Sequence, residues 1–525
     1  MNFKIDTSQK GKKLTSLFNN LNKWTFNLSK KTEEYDDYEL ADYIQLMQCS
    51  GGNKDRDLFK DPFDRTVLDD YDFSRLVAAC HNVLELGAKP MLKFGNVPMK
   101  YSVAPEKCTA NYGAFKMNVY PPEDYNVYYN YIRAIVQTLA DEFGKEEMLS
   151  WRYGVMTELE NGGWFMDPSG DPEKTKIAYF KLYDYTVQAL IDVLGNDVFV
   201  GAHTMACSPG LWDVTEFIKH AAQGTNCANG GKGSKICFLA ASWYHTKPGQ
   251  SQPAHRYTYI KTMSIIMDAA KKYGLNDLIY GVDEGRILYG STKGVLKSDL
   301  STRTVGYTYQ AAFDAKLYKE SMDMGISYFS VWSLSKTDSK GNTFPTMAYY
   351  IAKNTSEFDG MDRASVLSEV ENIDPENHTS VVAGVDEANR VVRIMAYNYV
   401  ETIGETPKVP LTLNIDMPVS SGNAKIVTKY INDDCNYFDE WLEDRKKYNI
   451  GDDKFDWSPD DPAIYSCFKY MDESFKETYY NELAPKYKEA ARLVPKESAV
   501  QFNDGKLVLE DIIDGNSAVF YEIKY

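Results

Sequence analysis

The sequence is poor in cysteine and in positive charge. Eight of its 525 residues are cysteine, and none of them forms a Cys-x-x-Cys pair. We therefore expect reduced, mostly buried thiols rather than a disulfide framework. Lys and Arg total 58 against 75 Asp and Glu, which gives a formal net charge of −17. Because nucleic acids and anionic membranes are bound by basic surfaces, neither is an expected partner.

Long apolar runs and phosphate-binding loops are also missing from the sequence. No run approaches the roughly 18 apolar residues of a membrane span, so no membrane partner is expected. Residues 1–6 show no apolar stretch typical of a signal peptide, which predicts a cytoplasmic protein, with secretion open if a leader was removed. Gly224–Gly233 is rich in glycine but lacks the Lys-Ser/Thr ending of a P-loop, so it predicts a surface loop.

Aromatic residues, by contrast, are abundant. They make up 14% of the chain, with 39 Tyr and 8 Trp. Flat aromatic faces suit sugar rings, but the same residues also fill large cores, and composition alone leaves both readings open. At 525 residues the chain exceeds one ordinary domain, so we expect a large domain and at least one smaller one.

The order of apolar segments predicts an α/β fold. Eight strand-like runs occur, and most are followed by a helix-like stretch, which is typical of a (β/α)8 TIM barrel. Amphipathic spacing predicts helices at Tyr125–Phe143, Thr175–Leu194 and Thr304–Met322. The predicted strands are Trp24–Leu28, Tyr43–Met47, Pro90–Phe94, Trp151–Met156, Val198–Ala202, Ile236–Ser242, Leu278–Val282 and Ile326–Trp332.

The pattern changes after about residue 355. Short strand-like runs separated by Asn, Asp, Gly and Pro predict a β-sandwich, and a polar, helix-prone insertion near 437–493 interrupts it. We therefore predict a barrel over 15–354 and an accessory β-sandwich over 355–525. The runs are Ser380–Ala383, Val391–Tyr399, Val409–Ile415, Lys425–Tyr430 and Ala518–Ile523.

Two glutamates follow the fourth and seventh predicted barrel strands. Glu158 comes after Trp151–Met156 and Glu284 comes after Leu278–Val282. Catalytic groups of such barrels gather at the carboxyl ends of the strands, and a pair of carboxylates can hydrolyse a glycosidic bond. Glu160 is a rival to Glu158, since residues two apart on a strand point the same way.

Several further motifs, in this order along nearly the whole chain, resemble those of glycoside hydrolase family 39. They are Tyr71-Asp72-Phe73-Ser74, Leu86-Gly87-Ala88-Lys89-Pro90, Phe94-Gly95-Asn96-Val97-Pro98, Pro121-Pro122-Glu123-Asp124-Tyr125, Phe143-Gly144-Lys145-Glu146-Glu147, Trp243-Tyr244-His245-Thr246 and Tyr328-Phe329-Ser330-Val331-Trp332-Ser333.

The resemblance implies a retaining glycosidase that needs no cofactor. Glu158 on the fourth strand would be the acid/base and Glu284 on the seventh the nucleophile. It implies β-xylosides, or related plant or bacterial polysaccharide fragments, as substrates. It also implies that residues 1–14 add a strand to the accessory sandwich.

Three motifs around the sugar at the cleavage site depart from the family pattern. Thr157 stands where the family has an Asn that holds the sugar 2-hydroxyl, and Thr offers one hydroxyl in place of an amide. Asp283-Glu284-Gly285 replaces Thr-Glu-Trp, and Met47-Gln48-Cys49-Ser50 replaces an Arg-x-His pattern. These changes bear on the identity of the sugar more than on the type of reaction.

The same resemblance suggests further substrate-binding residues. Tyr244 would orient the nucleophile, and Trp332 would be a platform for the sugar ring. His203 and His245 would bind sugar hydroxyls. The alternative for Tyr244 is a packed aromatic residue, and the alternative for His203 is a structural histidine. The two histidines lack the spacing of metal ligands, so no metal is expected. Three residues lie just beyond the glutamates and either shape the cleft or have ordinary loop roles, of which the loop roles are favoured: Asn161, Trp164 and Arg286.

The expected partner is an oligosaccharide or glycoside substrate, and a homo-oligomer is left open. A non-catalytic carbohydrate-binding protein on a glycosidase fold is the alternative function, motivated by the altered motifs. A metal- or nucleotide-dependent enzyme on the same fold is a more distant one.

Overall fold

A closed barrel of parallel strands forms the centre of the molecule. The computed structural model describes residues 1–24, 26–28, 34–53, 56–107, 111–112, 115–245, 257–287, 308–337, 343–368, 374, 377–401, 407–448 and 477–525. The first strand, β1 (Asn2–Lys13), lies outside the barrel. Within these residues eight further strands close the barrel in the order β8-β9-β2-β3-β4-β5-β6-β7. They are β2 (Asn20–Lys23), β3 (Tyr43–Leu46), β4 (Lys89–Phe94), β5 (Arg152–Val155), β6 (Val200–Thr204), β7 (Phe238–His245), β8 (Ile279–Ile287) and β9 (Tyr328–Val331).

Helices follow the barrel strands, except that only a 3-10 turn at Asp37–Leu40 is described after β2, and the predicted (β/α)8 barrel is confirmed. The helix at Tyr125–Phe143 has the predicted bounds, and Asp124 caps it by accepting from the backbone N–H of Asn126. The helices are α1 (Ser74–Glu85), α2 (Tyr125–Phe143), α3 (Lys145–Leu149), α4 (Pro172–Leu194), α5 (Thr215–Gln223), α6 (Tyr259–Lys272), α7 (Thr308–Met324) and α8 (Met347–Ser356).

The largest error in the strand predictions concerns the first barrel strand. The strand is Asn20–Lys23, not Trp24–Leu28, and it ends just before Trp24. Its sequence, Asn-Leu-Asn-Lys, has no apolar run because Asn20 and Asn22 point into the barrel, where both are buried. Trp24 therefore lies at the carboxyl end of the barrel rather than inside a strand.

A mixed β-sheet forms the second layer. Counting only described residues, it has nine strands, which are β1 and β10 (Asp362–Ser368), β11 (Asn377–Asp386), β12 (Val391–Val400), β13 (Val409–Asp416), β14 (Gly422–Ile431), β15 (Lys496–Phe502), β16 (Lys506–Ile513) and β17 (Ser517–Lys524). Their order in the sheet is β15-β14-β17-β12-β11-β10-β1-β13-β16. β1 pairs antiparallel with β10 and parallel with β13, so the N-terminal segment is part of this sheet.

Alternation along β12 shows how this sheet joins the barrel. Met395, Tyr397 and Tyr399 belong to the large core that continues into the barrel helices. Ile394 and Ala396, on the other face, belong to a separate core of the sheet. Period-two burial of this kind places one face of the sheet on the barrel.

Short elements complete the description. In the predicted insertion the structure shows helices α9 (Phe438–Lys447) and α10 (Ala484–Ala490), and residues 449–476 lie outside the described residues. Among the described helices, none combines the length and apolarity that a membrane span requires. The remaining elements are the two-residue pairs Asn111–Tyr112 with Phe115–Lys116 and Lys336–Thr337 with Thr343–Phe344, 3-10 turns at Asp37–Leu40, Met99–Tyr101, Pro105–Lys107 and Asp433–Cys435, and a π turn at Tyr479–Leu483.

Candidate active site

The two glutamates meet at the carboxyl end of the barrel. Glu158 lies three residues after β5, in a left-handed backbone conformation with φ 45°. Glu284 lies in the last part of β8 and is 7% exposed. The carboxylates are close enough that the charge of Glu158 raises the pKa of Glu284. The fold therefore brings together two groups that are 126 positions apart in the sequence.

A tight turn holds the Glu158 carboxylate. Asn161 Nδ2 donates to Glu158 Oε2 at 2.7 Å, and Trp164 Nε1 donates to the same oxygen at 3.2 Å. Two backbone bonds shape the turn, from Asn161 N–H to the Glu158 carbonyl and from Trp164 N–H to the Asn161 carbonyl. The sequence favours ordinary loop roles for Asn161 and Trp164, although their spacing of three and six residues from Glu158 is a signal for such a turn.

Only one oxygen of the Glu284 carboxylate accepts a hydrogen bond from a described residue. The Tyr244 hydroxyl donates to Glu284 Oε2 at 3.2 Å and itself accepts from Trp332 Nε1 at 2.7 Å. Glu284 Oε1 is buried and has no hydrogen-bond partner among the described residues. Burial first and Glu158 second raise the pKa of Glu284 to about 8, while Lys93 and the Tyr244 hydrogen bond oppose the rise.

The Glu160 carboxylate bonds the loop after β6. Its Oε1 accepts from the backbone N–H groups of Met205 and Ala206 at 2.9 and 2.8 Å. The side chain is buried, and burial raises its pKa to about 7. Because β5 ends at Val155, the two-residue alternation does not extend to 158 and 160, and Glu160 instead fixes the loop after β6.

Three indole rings stack in a row beside the two glutamates. Trp24 lies between Trp164 and Trp332, with ring centroids 5.9 and 5.6 Å apart and planes 16° and 9° apart. The outer two indoles are those that donate toward Glu158 and toward Tyr244. The row therefore spans the distance between the two carboxylate supports. Trp24 could not be assigned to the site from the sequence, since it was placed inside a strand.

The prediction that Tyr244 and His245 both face the cleft is wrong for His245. Ser242 and Tyr244 of β7 point into the barrel, where they contact His203 and Glu284. Alternation turns His245 outward. There its ring lies 5.7 Å from that of Phe313, and its Nε2 bonds Glu401 Oε1 at 2.7 Å.

His203 is likewise placed away from the substrate. It is fully buried inside the barrel, where Nδ1 lies 2.7 Å from Lys93 Nζ and Nε2 lies 2.7 Å from Ser242 Oγ. Both ring nitrogens thus have protein partners, so neither is available to a sugar hydroxyl. The predicted sugar contact is corrected to the structural role that was its alternative.

Asp283 points into the barrel, contrary to the outward orientation that alternation predicts. The pairing of β8 with β7 shifts between Val282 and Glu284, and this bulge lets two consecutive side chains face inward. Asp283 is completely buried, accepting from Lys93 Nζ at 2.8 Å and from the Tyr328 hydroxyl at 2.8 Å. Lys93 stands in the apolar run Met91–Phe94, and a charge in such a run is the sequence signal for this buried ion pair.

Two further residues near the glutamates are buried. Thr157, directly before Glu158, is 3% exposed. Arg286 has φ 94° and donates to Asp314 Oδ2 at 2.9 Å and to the Ser333 carbonyl at 2.6 Å, which ties the end of β8 to α7 and to the loop after β9. Its loop role is therefore structural. Within the described residues, no three His, Cys, Asp or Glu side chains are grouped as metal ligands.

Comparison with known proteins places the chain in a family. A β-xylosidase of Geobacillus stearothermophilus is 29% identical over 153 residues, which are 29% of this chain and 28% of that protein. An α-1,4-L-rhamnosidase of Formosa agariphila is 22% identical over 343 residues, or 63% and 62% of the two chains. The matched part thus spans less than two thirds of these curated relatives.

Solved structures show the same fold. A monomeric β-xylosidase from Caulobacter crescentus CB15 superposes with a TM-score of 0.66 at 15% identity, covering 100% of this chain and 99% of that one. The sequence model described as "Glycosyl hydrolases family 39" matches residues 2–446. The chain belongs to glycosyl hydrolase family 39.

Proposed function

We propose that the protein is a retaining glycoside hydrolase in which Glu284 is the nucleophile and Glu158 is the acid/base. The observation that carries this proposal is the asymmetry of the Glu284 carboxylate. One oxygen is held by Tyr244, and the other is buried without a partner among the described residues. Glu284 Oε1 has lone pairs that no described donor occupies, and we assign the attack on the anomeric carbon to this oxygen.

The proposed reaction has two displacements. Glu284 Oε1 attacks the anomeric carbon, the glycosidic C–O bond breaks, and the proton of Glu158 goes to the leaving oxygen. The Glu158 carboxylate then takes a proton from water, whose oxygen attacks the anomeric carbon and breaks the glycosyl ester. The active form of the enzyme thus has Glu284 ionised and Glu158 protonated.

The electrostatics of the site work against both carboxylates being ionised at once. Glu284 is buried, and the charge of Glu158 works against its ionisation. Lys93 and the Tyr244 hydroxyl favour its ionised form. Asn161 and Trp164 donate to Glu158 Oε2, which leaves Oε1 as the oxygen to carry the transferred proton.

The proposed substrate is a β-xyloside or a related fragment of a plant or bacterial polysaccharide. The β-xylosidase from Geobacillus stearothermophilus supports xylose as the default, and the rhamnosidase relative shows that similar chains act on another sugar. Thr157, buried next to Glu158, is the proposed contact to the sugar hydroxyl beside the anomeric carbon. Trp332, half-buried, is the proposed platform under the ring.

The test is a panel of aryl glycosides assayed with wild type, Glu158→Ala and Glu284→Ala. Azide should rescue Glu284→Ala and give a glycosyl azide of inverted anomeric configuration. Glu123→Ala is the matched control, because that carboxylate is exposed at the barrel surface and bonds Arg65. Full activity of both site variants contradicts the proposal, and sugar binding without turnover by the wild type favours a non-catalytic binding protein.

A further inference from the structure

An ion pair crosses the interior of the barrel next to the proposed nucleophile. Lys93 Nζ lies 2.8 Å from Asp283 Oδ2, and both side chains are completely buried. β4 and β8 are four places apart in the closed order of eight strands, so the bond spans the barrel from one wall to the opposite one. Barrel interiors are ordinarily filled by branched apolar side chains. A buried charge pair costs desolvation energy and is seldom a net source of stability, which calls for another explanation.

Lys93, Asp283 and His203 form a buried cluster, in which Lys93 is the cation and Asp283 is the anion. Burial first and Lys93 second hold the pKa of His203 well below its ordinary value, so its ring is neutral. Because an ammonium group can only donate, His203 Nδ1 accepts from Lys93 and Nε2 carries the proton toward Ser242. Gly154 makes room for the lysine, since a Cβ at that position would lie 3.2 Å from Lys93 Cε.

The cluster is joined to Glu284 through the backbone of Asp283. The Asp283 carbonyl accepts from Asn22 Nδ2 at 2.7 Å, and its carboxylate accepts from Lys93 and Tyr328. These bonds fix the residue at which the register of β8 shifts, immediately before Glu284. A change at Lys93 therefore reaches Glu284 through a single peptide unit.

The cluster also acts on Glu284 through charge. Glu284 faces Glu158 from the turn after β5, Tyr244 from β7, Lys93 from β4 and its own neighbour Asp283. Lys93 lowers the pKa of Glu284, and Asp283 raises it by less. The two members of one ion pair thus have opposite effects on the same carboxylate.

We propose that Lys93 is a positioning residue for Glu284, which holds the bulge at Asp283 in place and supplies a positive charge that favours the ionised form of the nucleophile. The inference rests on the proposed role of Glu284. It explains why a buried lysine stands in an apolar strand, and it assigns Asp283 the task of anchoring that lysine.

The experiment isolates the ionisation of Glu284 by working in a Glu158→Gln background. A dinitrophenyl glycoside of the preferred sugar needs no acid catalysis, so the burst of released phenolate reports attack by Glu284 alone. The burst rate should fall at low pH as Glu284 becomes protonated, and this fall is the acid limb of its pH profile. Adding Lys93→Met should move the acid limb to higher pH by about one unit. Adding Asp283→Asn, which still accepts from Lys93, should move it downward. Lys89→Met is the control: it removes a cation from the start of the same strand, β4, where Lys89 pairs with Glu147, and it should leave the limb in place.

The opposite directions distinguish this proposal from a purely structural role. If Lys93 only fills the barrel, both variants should show slower bursts with an unmoved acid limb. That result overturns the inference. If Lys93→Met does not fold, Lys93→Met/Asp283→Asn removes both buried charges, and its limb should still lie above that of the background enzyme because the Lys93 effect is the larger. An unmoved limb with an inactive Glu284→Ala overturns only the lysine proposal, whereas a fully active Glu284→Ala overturns the proposed function as well.

Discussion

The Tyr244 hydroxyl donates a hydrogen bond to Oε2 of Glu284 at 3.2 Å. This bond holds one carboxylate oxygen and leaves Oε1 of Glu284 buried and without a partner among the described residues. Its direction also matters, since a donor to a carboxylate favours the ionised form.

Replacing Tyr244 with Phe should therefore impair attack by Glu284. A hydrogen bond to a charged group contributes about 1.5–3 kcal/mol, so kcat/KM should fall by about 10- to 150-fold. The acid limb of the burst rate in the Glu158→Gln background should move upward. Tyr129→Phe removes the same atom from a hydrogen bond to Asp192 on the outside of the barrel and should behave as wild type. An unchanged kcat/KM for Tyr244→Phe contradicts this role.

Trp24 should set the spacing between the supports of the two carboxylates. Because its ring is stacked between Trp164 and Trp332, removing it lets the two supports approach. Misplacement of reacting groups by about 1 Å can cost about 100-fold in rate, so Trp24→Ala should lose kcat on that scale. Trp24→Phe keeps an aromatic ring in the row and should recover most of the rate. A change in KM alone would show that Trp24 contacts the sugar instead of spacing the site.

The buried Glu284 should make the protein less stable as pH rises. Burial raises its folded-state pKa from an ordinary 4.5 to about 8, so the folded protein retains a proton that the unfolded chain has released. The free energy of unfolding therefore falls between these two pH values. Glu284→Gln should be more stable than wild type by at least about 1 kcal/mol at pH 8 and nearly equal at pH 4.5. Thermal unfolding at the two pH values measures this difference, and an equal Tm at pH 8 speaks against a buried, protonated Glu284.

His245 should matter for stability rather than for sugar binding. Its outward side chain bonds Glu401, which also accepts from the hydroxyls of Tyr399 and Tyr309 and so links the second sheet to the barrel. His245→Ala should lower the free energy of unfolding by about 1–3 kcal/mol, the cost of leaving a buried polar group unpaired. KM should change little. A large rise in KM with an unchanged Tm would restore the predicted sugar contact.

Local patterns were enough to predict the barrel and the positions of the glutamates. Helical spacing over Tyr125–Phe143 gave the bounds of α2, and apolar runs before Glu158 and Glu284 placed both at strand ends. Each of these features depends on residues near one another in the chain. They can be predicted because the buried residues of each strand and each helix recur with the period of that element.

Features that depend on distant residues were not predictable in this way. The inward turn of Asp283 comes from a shift in its pairing with β7, which no property of residues 278–285 reveals. The role of Trp24 depends on partners at 164 and 332. The His245 error is different in kind, because alternation with Tyr244 was visible in the sequence and predicted an outward side chain.

The central claim is that Glu284 forms the covalent bond to the sugar. A 2-deoxy-2-fluoro glycosyl fluoride of the preferred sugar should trap that intermediate, and digestion followed by mass spectrometry should place the label on the carboxylate of Glu284. Prior treatment should abolish turnover in wild type, and Glu284→Gln should take up no label. Label on Glu158 or Glu160, or turnover of the wild type without any covalent intermediate, would contradict the account.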